Sequence, residues 1–246
     1  MCLLWGASFV QAQRYTPSKW EFGAGVGVYL YQGDLTPSVI GGYKDPKPGV
    51  HLFVARAFTS NLAIRAQLAL SALKTNESDY SKPEWRQQRN LAFVTPLSEF
   101  SILAVWNIKG DLMDEPEVKR FSPYVFAGGA LTALRVVRDF TRFNGDYFNT
   151  QPRVLAGWAA DALHPTPKLT PVIPVGAGAK YPISQKFSLF GEASYRLGFS
   201  DYIDGVSQAG NPRKKDHYYS ITIGLTYRPG RGFGSGSRGI GCPVVQ

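Results

Sequence analysis

Long apolar runs are missing from this sequence. Beyond its first dozen residues no segment approaches the ~20 consecutive apolar residues of a transmembrane helix, so any membrane crossing must be made by strands. Cysteine is scarce as well: Cys2 lies in a stretch with the look of a removed leader, and Cys242 is then the one thiol left, free or paired with another chain. His51, His164 and His217 stand apart, without metal-ligand spacing, and no serine sits in a nucleophile elbow. No catalytic residue, cofactor or metal is therefore expected. The arrangement still to weigh is His217 with Ser200 and Asp201, since lipid-modifying barrels carry a His, Ser and acid cluster at the outer rim. Charge is thin, at 18% of residues, and nothing resembles a linker between two cores, which argues for one domain.

What the sequence does contain is alternation. In Tyr219-Ser220-Ile221-Thr222-Ile223-Gly224-Leu225-Thr226-Tyr227 large apolar residues take one face and small or polar ones the other, with tyrosine at both ends. Phe22, Ala24, Val26, Val28 and Leu30 likewise oppose Glu21, Gly23, Gly25 and Gly27, and Leu62, Ile64, Ala66, Leu68 and Leu70 oppose Ala63, Arg65, Gln67 and Ser71. Strand-like runs fall at about 20–31, 49–58, 62–71, 97–109, 121–133, 172–181, 186–197 and 217–228. Each is near the ~9 to 11 residues with which a tilted strand crosses a bilayer.

The connections alternate too. Segments around 37–48, 74–96, 135–170 and 198–216 are long, whereas 59–61, 110–120 and 182–185 are shorter. Bacterial outer-membrane barrels have this asymmetry, with short turns toward the periplasm, and a soluble sandwich has no reason to sort its loops. The reading is an all-β, eight-stranded antiparallel transmembrane barrel over residues 13–228, preceded by a signal peptide at 1–12 and followed by a basic, glycine-rich tail at 229–246.

Eight strands leave a lumen that side chains can fill. The inward set includes Glu21, Glu99 and Glu192 with Arg65, Lys180, Arg196 and Arg228, and buried charge is costly unless paired, so these seven are expected to form ion pairs that plug the barrel. The inward glycines of 23–27 lack dinucleotide-loop spacing and instead make room for lumenal Arg and Tyr. The net charge of +9 does not point to nucleic acid in an exported chain. Arg86, Arg89, Arg135, Arg138, Arg142, Arg213, Lys214 and Lys215 lie in or beside long outer loops, where phosphates of outer-membrane lipid are the natural anions. The tail offers Arg231, Arg238 and Cys242 as a partner-binding arm.

Several segments resemble the PorG-like outer-membrane barrels of Bacteroidota: Tyr31-Gln32-Gly33-Asp34-Leu35, Arg86 to Phe93, Phe121 to Gly129, Ile173 to Tyr181, and most specifically Ser200-Asp201-Tyr202-Ile203-Asp204-Gly205-Val206-Ser207. The likeness runs in order over nearly the whole chain after the leader. It implies an accessory barrel of the type IX secretion machinery, associated with periplasmic ring proteins and a ring lipoprotein, and it implies no catalysis. The expectation is therefore a non-enzymatic barrel that anchors or aligns those components. Its rivals are a surface barrel binding ligands through its long outer loops and a lipid-modifying enzyme.

Overall fold

The computed structural model describes residues 19–37, 41–110, 121–210 and 215–229. The expected leader at 1–12, the greater part of the 110–120 turn, Arg213, Lys214, and Arg231, Arg238 and Cys242 of the tail lie outside them. Among the described residues nine strands are β1 (Trp20–Gln32), β2 (Lys47–Ala57), β3 (Leu62–Asn76), β4 (Ala92–Asn107), β5 (Ser122–Leu134), β6 (Val137–Asp139), β7 (Leu169–Pro182), β8 (Phe187–Gly198) and β9 (His217–Tyr227). Eight of them pair antiparallel in the order β3-β2-β1-β9-β8-β7-β5-β4, and β3 also pairs with β4, which closes the barrel. The short β6 lies outside the ring, paired with the first residues of β4.

Period-two patterning decides which face meets what. Leu52, Leu68, Ile102, Ile221, Ile223 and Leu225 are exposed on the outer wall, while Glu21, Arg65, Gln67, Glu99, Thr222 and Thr226 are buried in the lumen. At the short-turn end Trp20, Phe58, Trp106, Phe121, Tyr181, Phe187 and Tyr227 form an exposed aromatic belt of the kind that sits at a membrane interface. An apolar wall around a polar interior is the arrangement that a bilayer requires of a closed sheet.

β3 and β4 are longer than the alternation suggests, at 15 and 16 residues, and pair from Leu62 with Trp106 to Asn76 with Ala92. They extend past the bilayer-spanning length on the loop side and, with β6, raise one wall of the mouth. The second outer loop (77–91) holds a short helix, α1 (Trp85–Arg89), and the third holds α2 (Pro152–Leu163).

The inward glycines admit rings other than those expected. A Cβ on Gly23 would stand 2.1 Å from the Phe53 ring, and one on Gly25 would stand 2.5 Å from His51 and 2.9 Å from Phe190. Phe53, His51 and Phe190 thus fill the space assigned from sequence to Arg and Tyr, because β2 and β8 bring their own inward residues to the level of the β1 glycines.

Candidate functional site

The lumen brings all seven expected charges into contact. Glu21 accepts from Lys180 Nζ at 2.5 Å and lies 2.5 Å from Arg228 Nη2. Arg65 Nη1 reaches Glu192 Oε1 at 2.5 Å, the Tyr124 hydroxyl donates to the same oxygen at 2.6 Å, and the Arg65 guanidinium sits 4.1 Å from the Phe53 ring centre. Arg196 meets Glu99 at 3.3 Å and donates to Ser220 Oγ at 2.5 Å, while Tyr218 donates to Glu99 at 2.7 Å. Each carboxylate thus has a cation or a hydroxyl on more than one side, which is the condition under which buried ion pairs are tolerated. Arg65 is 1% and Arg196 2% exposed.

The outer mouth holds a second buried polar cluster, and three of the five segments quoted for the resemblance, 31–35, 86–93 and 200–207, converge on it. The fourth outer loop turns inward: Ile203, Asp204 and Val206 are buried, and Ile203 and Val206 join an apolar cluster with Tyr31, Leu35, Leu73, Leu91 and Phe93. Tyr31, in the same inward phase of β1 as Glu21, places its hydroxyl 2.5 Å from Asp204 Oδ2 and 2.6 Å from Asp216 Oδ1. Asp216 Oδ2 accepts the Ile203 amide at 2.9 Å and the Asp204 amide at 3.4 Å, and Asp204 Oδ1 accepts the Val206 amide at 2.8 Å. Gly33 closes over the group; a Cβ there would stand 1.9 Å from the Tyr31 hydroxyl and 2.2 Å from Asp216 Oδ1. Burial, reinforced by the Asp216 carboxylate, pushes Asp204 well above the usual carboxylate range. Burial likewise pushes Asp216 up to about 7, against the hydrogen bond from Tyr31.

The other outer loops tie the plug down. Glu77 accepts from both Arg86 and Arg89, Arg89 also donates to the Ala209 carbonyl at 2.5 Å, and Arg86 donates to the Asp34 carbonyl at 3.1 Å. Asp161 on α2 accepts the amides of Ser207, Gln208 and Ala209 at 3.1, 3.0 and 2.7 Å. Arg138 donates to the carbonyls of Asp161 and Gly205, and Thr95 Oγ1 donates to Ile203 O at 2.9 Å. This corrects the reading of Arg86, Arg89 and Arg138 as lipid-phosphate contacts: Arg86 and Arg89 are buried, and all three are occupied by loop acceptors.

His217 and Ser200, weighed above with Asp201, each accept a backbone amide. His217 Nδ1 accepts the Gly198 amide at 3.1 Å, so a neutral ring carries its proton on Nε2, where a general base would need a lone pair. Ser200 Oγ accepts the Tyr202 amide at 3.2 Å.

Of the residues of the mouth, the sequence does not single out Glu77, Asp161 or Asp216, and Tyr31 and Asp204 stand out only as members of the segments of the resemblance. The inward phase of Tyr31 was readable from β1, but its acidic partners lie 173 and 185 positions away in a loop without periodicity.

No protein-family model and no curated protein matches the chain. Among solved structures it is similar to the N-terminal β-barrel domain of Pseudomonas aeruginosa OprF, at 10% identity and a TM-score of 0.44, covering 87% of this chain and 99% of that one. Ail, the attachment invasion locus protein of Yersinia pestis, is 11% identical with a TM-score of 0.43, covering 86% of this chain and 99% of that one. Neisserial surface protein A is 11% identical with a TM-score of 0.48, covering 86% and 97%. With its apolar outer wall, polar lumen and long loops at one end, the molecule is an eight-stranded antiparallel β-barrel of the bacterial outer membrane.

Proposed function

We propose that this barrel is a non-enzymatic, non-conducting scaffold that anchors or aligns periplasmic ring components of a type IX protein secretion system, among them a ring lipoprotein. The observation that carries the reading is the filling of the barrel. Three buried charge clusters occupy the lumen and an inward-folded loop occupies the mouth, so side chains take the space a solute would need. With the outer wall given to lipid, recognition falls to the two ends. The resemblance to PorG-like barrels favours the periplasmic end, where the tail brings Arg231, Arg238 and Cys242. A glycine-rich segment of that length spans on the order of 20 to 25 Å, enough to reach a ring just beneath the membrane.

The test is co-purification from outer membranes under non-reducing conditions, comparing the intact chain with one lacking 230–246. The expected result is a periplasmic partner that is lost with the tail, and a mixed disulfide or thiol cross-link that vanishes in Cys242→Ser. Unchanged co-purification and secretion from the deletion strain would overturn it. Planar-bilayer recordings are expected to show no steady conductance. The folded outer loops favour a second reading, a surface barrel that binds a ligand through them: α2 leaves Leu163 87% exposed, and Tyr147 in the same loop and Trp85 in the second outer loop are exposed too. Retained periplasmic association with the outer loops trimmed would set that reading aside.

A further inference from the structure

Proton counting at the outer mouth leads beyond the scaffold role. The Tyr31 hydroxyl has one hydrogen, yet carboxylate oxygens of two different residues lie at 2.5 and 2.6 Å from it. It can donate to one of them only; the other must donate to it, and a carboxyl donates only when protonated. The amide contacts say which one. Asp216 accepts two backbone amides on its far oxygen, which favours its ionised form, whereas Asp204 accepts one. The chain of bonds therefore runs from a protonated Asp204 to the Tyr31 oxygen, and from the Tyr31 hydrogen to an ionised Asp216.

We propose that Tyr31, Asp204 and Asp216 form a proton-controlled latch, which seats the fourth outer loop in the barrel mouth while the shared proton is present and releases it when the proton is lost. The three groups join β1, the loop and the start of β9, so the latch pins the loop to the wall on which it closes. The amides of Ile203, Asp204 and Val206 hang on the same two carboxyls, and the backbone of the plug depends on them directly.

Nearby charges leave that proton without a substitute. Asp34 faces the cluster from the first outer loop, and Asp201 from the fourth. Both add negative charge. From the second loop Arg86 is held by Glu77 and the Asp34 carbonyl, and Arg89 by Glu77 and the Ala209 carbonyl. From the third loop Arg138 is held by the Asp161 and Gly205 carbonyls, and the Asp161 carboxylate by three amides. Lys215 and His217 flank Asp216 in the chain; Lys215 is exposed and His217 Nδ1 is engaged by Gly198.

The sign follows from the carboxyl shifts. In a released loop both acids ionise near their ordinary value of 3.8, whereas in the seated loop burial raises both, Asp216 to about 7 and Asp204 well above its ordinary value, so that Asp216 ionises first and Asp204 keeps the shared proton longest. The seated state therefore binds more protons than the released one from about pH 4 until Asp204 ionises, and it loses stability as pH rises through that range.

The test is hydrogen exchange of the full-length barrel in detergent micelles, read by mass spectrometry over 199–216 at pH 5 and pH 8 with exchange times scaled for base catalysis. In the unaltered chain, protection at residues 203–206 is expected to fall at least about ten-fold between the two pH values while the strands stay protected. Asp204→Asn keeps a donor toward Tyr31 and an acceptor for Val206 without a titrating proton at that position, so its loop, left with the titration of Asp216 alone, is expected to lose clearly less protection between the two pH values than the unaltered chain. Equal protection at pH 5 and pH 8 in the unaltered chain would overturn the latch, as would an Asp204→Asn barrel with the same pH dependence. Heat-modifiability on gels establishes that the variant barrel is closed; if it is not, the profile of the unaltered chain decides alone.

Discussion

Arg228, just past the end of β9, closes on Glu21 near the start of β1, with Nη2 2.5 Å from Oε2 and Nε donating to the same oxygen at 2.7 Å. The contact bridges the seam at which the last strand meets the first. Glu21 serves Lys180 as well, so the two ends of the pair are unequal. Glu21→Gln takes the shared carboxylate from both cations and is expected to cost ~3 to 5 kcal/mol in denaturant unfolding from lipid vesicles. Arg228→Met leaves Glu21 with Lys180 and should cost less. The double variant should cost less than the sum, and strict additivity in the cycle would mean that the two charges do not interact.

The lipid-facing phase of β9 makes a second prediction. Ile223 is 65% exposed on the outer wall, whereas Thr222 is 4% exposed in the lumen. Ile223→Arg near the membrane midplane should cost about 2 to 4 kcal/mol, while Thr222→Arg is limited by lumenal space. Cysteines placed at 221 and 225 should take up lipid-soluble probes, and those at 222 and 226 should not.

Gly23 and Phe53 should behave as a size-matched pair. Gly23→Ala drives a methyl group into the Phe53 ring and is expected to destabilise the barrel by roughly 1 to 3 kcal/mol. Adding Phe53→Leu should recover part of that loss. A barrel that melts at the same temperature with and without the methyl group would contradict the packing.

Asp161 is expected to act on the plug alone. Asp161→Ala orphans three amides, at about 1 to 3 kcal/mol for each that stays buried. Faster hydrogen exchange at 207–209 with unchanged exchange in the strands would be the signature. Asp161→Asn, which keeps one acceptor oxygen, should fall between.

The strands were legible because each holds one face to lipid and one to the lumen, a contrast that period two writes into residues such as Ile221 and Thr222. Where the contrast lapses, so did the reading. Lys74, Thr75 and Asn76 continue β3 beyond the bilayer, and Pro96, an ordinary strand breaker, lies inside β4, so both strands were drawn short. The lumenal charges could be listed from phase, since every inward charge needs a partner. The mouth could not be read this way, because Glu77 meets Arg86 and Arg89 through a loop path that no periodicity encodes. The eight-residue segment from Ser200 to Ser207 stood out as a sequence pattern, yet its inward fold depends on Tyr31 and Asp161 from distant segments.

The plug lies between β8 and β9 in the chain, and one of its anchors, Tyr31, belongs to β1. Strands β1 and β9 are the most widely separated partners in the barrel, with Phe22 opposite Tyr227, so loop-closure entropy makes their junction the costliest to bring together. Asp204 and Asp216 therefore meet Tyr31 only once the first and last strands have found each other. The mouth is sealed from within by the act of completing the ring, and a nascent sheet that has not yet joined its ends would hold its cap unfastened.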